Sequence, residues 1–407
     1  MTSNPLSPNP ATPNSPSKKQ FPINFSCNFL GLFNTALNMP AKPLETKSKK
    51  ASDLPKTNAA LNKAKAVQND EFYTQLGDIE NELKHYKSHL KGKVVFCNCD
   101  DPYESHFFEY FALNFNALGL KKLIATSYQK SPIVGGQLPL FEIEGLKPEG
   151  KDPYAIEINE VPDHKKRGTT DLSDVKFLLK NKKNAAWTLK PDSFYGAGDF
   201  RSKECVELLK SADVVVTNPP FSLFREFVAQ LAEFKKKFLI IGNKNSITYK
   251  EVFALIKNNK MWVGVTPMGR ELYFDVPEKY AEAMRAGETG WRSFHFVKGV
   301  IKGRAAAIWF TNLDNSKRHE ELALGETFSR TKYPKYDNFD AIEVSKVLEI
   351  PMDYEHTMGV PVTFLDKYNP EQFEILGDER DLGVPRGRGY IDGNRMYSRI
   401  FIKRKTP

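Results

Sequence analysis

Cysteine is scarce in this sequence. Four in 407 residues are too few for a disulfide scaffold, and Cys97-Asn98-Cys99 does not have metal-ligand spacing. Long apolar runs are missing too. The best candidate, Phe25 to Leu37, is interrupted by Asn28, Gly31 and Asn34 and has no signal-peptide flanks; it also falls short of the ~20 residues that cross a bilayer. Histidine is sparse, with seven in all, and His295, His319 and His356 are expected at surface or core positions rather than around a metal. These absences exclude an integral helical membrane protein, a secreted disulfide-rich protein and a zinc finger. The expectation is a cytoplasmic protein with no membrane partner and no metal.

What is present begins with charge. The formal net charge is +9, but residues 1–68 carry nine lysines, no arginine and two acids, a local +7 that leaves only +2 for the rest. Near the C-terminus, Arg386, Arg388, Arg395, Arg399, Lys403, Arg404 and Lys405 are opposed only by Asp392. Such a cluster is either a solvated terminus or a nucleic-acid contact.

Residues 1–56 hold nine of the 26 prolines, many in Asn-Pro or Ser-Pro pairs. That composition buries too little apolar surface to offset ordering entropy, so a disordered tail is expected there. Order is expected from near Asp70. A helix-like stretch runs from Ile79 to Leu90, a short apolar strand over Lys93–Cys97, an aromatic-rich helix over His106–Leu118, and a second strand over Lys121–Ser127. Residues 129–190 read as loop-rich insertions. Alternation resumes with strand Asp213–Thr217, helix Leu223–Phe234, strand Lys237–Ile241 and helix Thr248–Asn258. Strands separated by helices of this length imply parallel βαβ units in a three-layer α/β sheet. Beyond residue 260 the pattern is less regular, with candidate strands Met261–Val265, Ala305–Thr311 and Arg399–Ile402. Pro361–Leu365 reads as a further strand, leading to a helix start at Asn369-Pro370-Glu371-Gln372. The division predicted is a tail over 1–56, a catalytic domain over 57–260, and a smaller mixed region over 261–407.

The most informative segment is Asn218-Pro219-Pro220-Phe221, directly after the apolar strand ending at Thr217. Alone, a Pro-Pro pair there only terminates a strand. Here it follows a buried strand, a polar Asn and precedes an aromatic, at the edge where parallel sheets bind ligands. The Asn218 side-chain oxygen and the Pro219 carbonyl are two acceptors for one amino group, held rigid by the prolines, with Phe221 beside them to stack on a planar ring. The geometry suits an exocyclic amino group on a base or a planar amide. No Pro-Cys occurs, so the covalent route to a cytosine ring carbon has no nucleophile; Cys205, in a helical context, reads as a core thiol.

This tetrapeptide resembles the motif of the S-adenosylmethionine-dependent amino-methyltransferases. Asp70-Glu71-Phe72-Tyr73-Thr74-Gln75, Cys97 to Pro102, Gly198-Asp199-Phe200-Arg201-Ser202, Thr217 to Phe227, Phe238 to Lys250, Tyr333 to Asp337 and Met358 to Pro361 together resemble the EcoRI-type adenine-specific DNA methyltransferases. The likeness spans residues 57–407 in motif order. It implies a Rossmann-like class I methyltransferase fold with a mostly parallel central sheet and a smaller target-recognition region. It also implies transfer of a methyl group from S-adenosylmethionine to the N6 nitrogen of a flipped adenine in a GAATTC-like duplex site. By resemblance, Asn218, Pro219, Pro220 and Phe221 are catalytic, and Phe72, Tyr73, Thr74, Asn98, Asp100, Asp199 and Phe200 hold the cofactor. Asp100 is positioned for the cofactor ammonium, and Asp199 and Phe200 for its adenine. The usual Gly-rich turn is replaced by Cys97-Asn98-Cys99-Asp100-Asp101-Pro102, a variant the EcoRI type shares, and no acid follows the strand ending Ala125-Thr126-Ser127 to hold a ribose. Double-stranded DNA is the expected partner, contacted by Arg386, Arg388, Arg395 and Arg399. A monomer is expected, paired in function with a restriction endonuclease without a stable complex, or an orphan. The tetrapeptide by itself leaves cytosine N4, RNA or a protein glutamine open as targets, and a catalytically silent DNA-binding protein on the same scaffold.

Overall fold

The computed structural model describes residues 73–102, 105–128, 152–164, 166, 170–180, 185–275, 282, 285, 294–297, 300–383 and 388–405. The expected tail over 1–56 lies outside them. In chain order, β1 (Tyr73–Thr74) precedes helices α1 (Leu76–Leu83) and α2 (Lys87–Leu90), and β2 (Val94–Cys97) leads into α3 (His106–Leu113) and α4 (Phe115–Leu118). β3 (Lys122–Thr126) is followed by β4 (Tyr154–Ile158), α5 (Leu172–Lys180) and β5 (Ala185–Thr188). Then come α6 (Lys203–Ser211), β6 (Val214–Thr217), α7 (Phe224–Glu233), β7 (Lys237–Asn243) and α8 (Lys250–Lys257). The remaining strands are β8 (Trp262–Val263), β9 (Leu272–Asp275), β10 (Phe294–Val297), β11 (Val300–Ala305), β12 (Ala307–Thr311) and β13 (Ile342–Glu343). They continue with β14 (Met358–Val360), β15 (Phe373–Asp378), β16 (Tyr390–Ile391), β17 (Asn394–Arg395) and β18 (Ile400–Arg404).

An eight-stranded sheet in the order β5-β4-β3-β2-β6-β7-β12-β8 forms the centre. Its inner strands β3, β2, β6 and β7 are parallel, while β4, β5, β12 and β8 extend it antiparallel on the two sides. Inner parallel strands are covered on both faces, which is why Val94–Cys97 and Val214–Thr217 are apolar and buried at every position rather than alternating. On one face Val95, Cys97, Val214, Val216, Leu239 and Ile241 meet the helices α1 to α5. On the other, Phe96, Val215, Phe238 and Ile240 meet α6, α7 and α8. Helix α7 shows the reason for that packing: Phe224, Phe227, Val228 and Leu231 recur at helical spacing and are all at most 2% exposed. The molecule is therefore the three-layer, Rossmann-like α/β fold.

The same face also receives a second sheet, β13-β14-β18-β15, whose Ile342, Met358, Val360, Phe373, Ile375, Ile400 and Ile402 join the core of α7 and α8. A further four-stranded sheet, β1-β9-β11-β10, and the hairpin β16-β17 complete the strands described. Two strands of the central sheet, β8 and β12, come from beyond residue 260.

Some expectations need correction. The stretch 129–190 contributes β4, α5 and β5, so it widens the main sheet; β4 is interior and mostly buried, but it is short, carries Glu157 and lies among turn-forming residues, while β5 is the edge strand. Pro361–Leu365 is not a strand. Pro361 opens a 3₁₀ turn over Val362–Lys367 whose Phe364 and Leu365 face the core. Asn369 Oδ1 accepts the Glu371 N–H at 2.8 Å, closing a turn, and the chain enters β15 instead of a helix. The stretches Ile79–Leu90 and His106–Leu118 are each two short helices, broken around Lys84–Tyr86 and at Asn114.

Candidate active site

Strand order reverses between β2 and β6: from β2 the chain moves to β3 on one side, and from β6 to β7 on the other. The two strands are direct neighbours, with Val95 opposite Val214 and Phe96 opposite Val215. Parallel sheets open a crevice at the C-terminal ends of strands that diverge in this way. At the mouth of this one stand the turn after β2, carrying Asn98 and Asp100, and the turn after β6, carrying Asn218 to Phe221.

Asn218 is half-buried, Pro219 and Pro220 are buried, and Phe221 is half-buried against the core that holds α3. Pro220 has φ −56° and ψ 123°, and its carbonyl accepts the Leu223 N–H at 3.0 Å, so the prolines pass straight into the 3₁₀ turn Phe221–Leu223 and then α7. The tetrapeptide is thus anchored at both ends.

The turn after β2 is bonded to the same strand end. The Thr217 hydroxyl donates to Asp100 Oδ2 and accepts the Cys99 N–H at 3.2 Å. The Ser105 hydroxyl donates to Asp100 Oδ1 at 2.8 Å while capping α3 through the Phe107 N–H at 3.1 Å. The Asn218 N–H also donates to Asp100. Burial pushes the Asp100 carboxyl up to about 7; the three donors pull it down and the neighbouring Asp101 pushes it further up. Asp101 accepts the Tyr154 hydroxyl at 2.5 Å, which ties the turn to β4.

Gly198, at φ +75°, lies against the end of β3: a Cβ there would sit 2.0 Å from the Ser127 carbonyl oxygen. That contact brings Asp199 and Phe200 to the crevice. Asp199, 5% exposed, accepts three hydrogen bonds from Arg201, from its N–H, its Nε and its Nη2, at 2.8–2.9 Å. Arg201 continues to Glu226 on α7 at 2.6 Å and stacks over Tyr195 at 4.7 Å. Phe200 is 4% exposed and meets Phe227 edge-on at 5.1 Å, so its ring belongs to the core. Thr74 is buried in β1 beside β9. Tyr73 pairs through its backbone with Asp275, and Phe72 lies outside the described residues.

Among the described residues, both amide atoms of Asn98 and Thr126 Oγ1 are buried at this edge with no hydrogen-bond partner, as is Thr74 Oγ1 in β1 of the separate sheet. Asn98 and Thr126 end neighbouring strands. Leaving such a group unsatisfied costs ~1–3 kcal/mol. The thiols of Cys97 and Cys205 are buried and their pKa values pushed up by burial, that of Cys205 to about 11. Neither is poised as a thiolate nucleophile. Among the described residues no group of three or more His, Cys, Asp or Glu is placed to hold a metal, and no helix is long and apolar enough to cross a membrane.

The described arginines among the four singled out in the sequence differ in their surroundings. Arg399 is drawn into a buried ion pair with Glu343, its Nε at 2.9 Å and 3.1 Å from the two carboxylate oxygens. Arg388 and Arg399 both line an open cavity of about 240 Å³, with Thr248, Phe253, Glu379 and Arg380. Arg395 is exposed on β17, and Arg386 lies outside the described residues. Thr217 and Ser105 were not anticipated from the sequence, although each had a signal: a hydroxyl closing an apolar strand, and a serine in front of an apolar helix.

The family model described as adenine-specific methyltransferase EcoRI matches residues 60–405. The chain is 46% identical over 362 residues to the Type II methyltransferase M.EcoRI of Escherichia coli, covering 86% of this chain and 97% of that protein. It is 36% identical to the Type II methyltransferase M.MpnI of Mycoplasma pneumoniae, over 85% of this chain and 98% of the relative. It is 34% identical to the Type II methyltransferase M.MgeORF184P of Mycoplasma genitalium, again over 85% and 98%. No solved structure matches the chain.

Proposed function

The chain belongs to the adenine-specific EcoRI methyltransferase family, and on that premise we propose that it methylates the N6 amino nitrogen of an adenine in a short GAATTC-like duplex site, with S-adenosylmethionine as donor. The observation that carries this reading is the pairing of Asn218-Pro219-Pro220-Phe221 with the turn 98–102 at the reversal point of a parallel sheet.

The residues present fit the donor. It is polar and extended, and the unsatisfied Asn98 and Thr126, at the ends of neighbouring strands, supply groups that want polar partners, as does Thr74 in β1. Asn98, Thr74, Tyr73 and Phe72 would hold its methionine portion, with Asp100 facing the ammonium. Asp199 would accept from its adenine, since a carboxylate has about four acceptor sites and Arg201 occupies three; Phe200 braces that turn from the core. When bound, the donor supplies an electrophilic methyl group on a sulfonium.

The chain's own residues do the rest. The target adenine has to leave the duplex, because its amino group is paired inside the stack. Asn218 Oδ1 and the Pro219 carbonyl then accept the two amino hydrogens, drawing the nitrogen toward tetrahedral geometry with its lone pair exposed, and Phe221 offers a ring face to the base. Catalysis is positioning and electrostatics without a covalent protein intermediate, in keeping with the buried, raised thiols. We assign catalysis to residues 57–260 and target reading to 261–407, through Arg386, Arg388 and Arg395. Arg399 supports that region through Glu343. We place the protein in the cytoplasm with the DNA it modifies, as a monomer acting alongside an endonuclease of matching specificity without a stable complex.

The test is transfer of labelled methyl from S-adenosylmethionine to duplex DNA, followed by digestion to nucleosides. N6-methyladenine is the expected product, with protection of GAATTC sites from a nuclease that cuts them. N4-methylcytosine as product, or tight DNA binding without transfer, overturns the reading.

A further inference from the structure

Asn218 can hold an amino group only if its own backbone is fixed. The prolines fix it from the C-terminal side. From the N-terminal side the fixing comes from another strand's turn: Asp100 receives the Asn218 N–H, the Thr217 hydroxyl and the Ser105 hydroxyl. Thr217 in turn receives the Cys99 N–H. The three side chains at the centre of this set are buried, Thr217 fully and Ser105 and Asp100 to within 6%, while Asn218 and Cys99 are half-buried. In such surroundings a hydrogen bond to a carboxylate is stronger and more directional than at a surface.

We infer that the Asp100 carboxylate and the Thr217 hydroxyl form a positioning device that locks the base-holding Asn218 in register with the turn that holds the methyl donor. This inference rests on the proposed role of Asn218. It gives Asp100 a task that a ligand for the donor's ammonium would not need, and it assigns a function to Thr217 and Ser105 that neither family motif nor strand pattern carries. The strands β2 and β6 are separated by more than a hundred residues of sequence, so the alignment of the two substrates depends on this cross-strand link. A small misplacement of reacting groups lowers the rate steeply.

Thr217→Val keeps the size and branching of the side chain and removes only the hydroxyl. The expected result is a fall in kcat per folded molecule of about 10-fold, with the dissociation constant for S-adenosylhomocysteine unchanged within about two-fold and a melting temperature lowered by a few degrees, since Asp100 and the Cys99 N–H each lose a partner. Thr217→Ser restores the rate. A duplex carrying 2-aminopurine at the target position reports base extrusion separately, and extrusion is expected to persist in Thr217→Val. The acceptor is removed from the other side in Asp100→Ala; adding Thr217→Val to it costs no further rate, because both variants break one link. Should Thr217→Val not fold, Thr217→Ala, which also removes the hydroxyl, carries the same test when compared with Thr217→Ser alone and in the Asp100→Ala background. Wild-type kcat in Thr217→Val, a loss that follows weakened donor binding, or additive effects of the two variants overturns the inference. Failure of the wild-type protein to produce N6-methyladenine sinks the underlying reading instead, and the two failures are distinct.

Discussion

Two buried carboxylates in this molecule sit in contrasting settings. Glu343, in the C-terminal sheet, is 3% exposed and is enclosed by the Arg399 guanidinium and the Tyr336 hydroxyl. Its charge is matched by an opposite charge, and the assembly closes on itself. Asp100, at the mouth of the central sheet, is 6% exposed and has no cation within ion-pairing distance among the described residues; it is held by two hydroxyls and a backbone N–H. A matched pair in a sheet interior is a structural fastening. An unmatched acid held by neutral donors at a sheet edge is a feature of the donor site proposed above. The comparison also explains why Arg399, the same residue type as its neighbours in the basic C-terminal run, serves the fold while Arg395 stays available.

This contrast can be broken in four ways. Glu343→Ala leaves the Arg399 guanidinium buried without its partner and is expected to lower stability by ~3–5 kcal/mol in chemical denaturation, with kcat per folded molecule near the wild-type value. If kcat falls instead and stability holds, Glu343 belongs to the site. Asn218→Ala should behave in the opposite sense, losing about 10²–10³-fold in kcat with its denaturation midpoint unchanged and donor affinity largely kept; methylation near the wild-type rate would remove Asn218 from the mechanism.

The third concerns pH. The Asp100 carboxyl, ordinarily near 3.8, is raised to about 7 by burial and by Asp101, so the folded protein holds a proton that the unfolded chain releases. Stability from this group is fully present below about 4 and declines as pH rises toward 7. The clamp on Asn218 and Thr217, however, needs the ionised acceptor, so kcat should climb across the same range and level above it. A flat kcat between pH 6 and 8, measured at saturating DNA and donor, contradicts that role. The smallest effect is expected of Arg395→Ala: stability within ~0.5 kcal/mol, slightly weaker DNA binding, and a salt dependence of affinity reduced by about one unit of slope. A large loss of stability on removing Arg395 would erase the distinction between it and Arg399.

Legibility followed the kind of signal each part emits. Val94–Cys97 and Val214–Thr217 are readable because a strand covered on both faces is apolar at every position, and α7 is readable because one stripe of it is. β4 and β5 escaped notice because they pair antiparallel at the side of the sheet and are embedded among turn-forming residues. Pro361–Leu365 misled because a short apolar stretch suits a strand and a buried 3₁₀ turn equally; only the packing of Phe364 and Leu365 separates them. At the site, Asn218 to Phe221, Asp100 and Asp199 stood out as residues, but their partners did not. Nothing local in the chain says that Asp100 meets Thr217, that Arg201 reaches on to Glu226, or that Phe200 turns inward to Phe227.

The amino-acid order alone determined the layered α/β architecture and the acceptor-rich tetrapeptide closing β6, since both depend on neighbours in sequence: runs of apolar side chains and the stiffness of consecutive prolines. The tertiary structure decided which charges remain open and which are consumed. Arg399 and Glu343 are 56 residues apart and Asp100 and Thr217 are 117 apart, and pairings at such separations exist only once the sheets that bring them together have assembled.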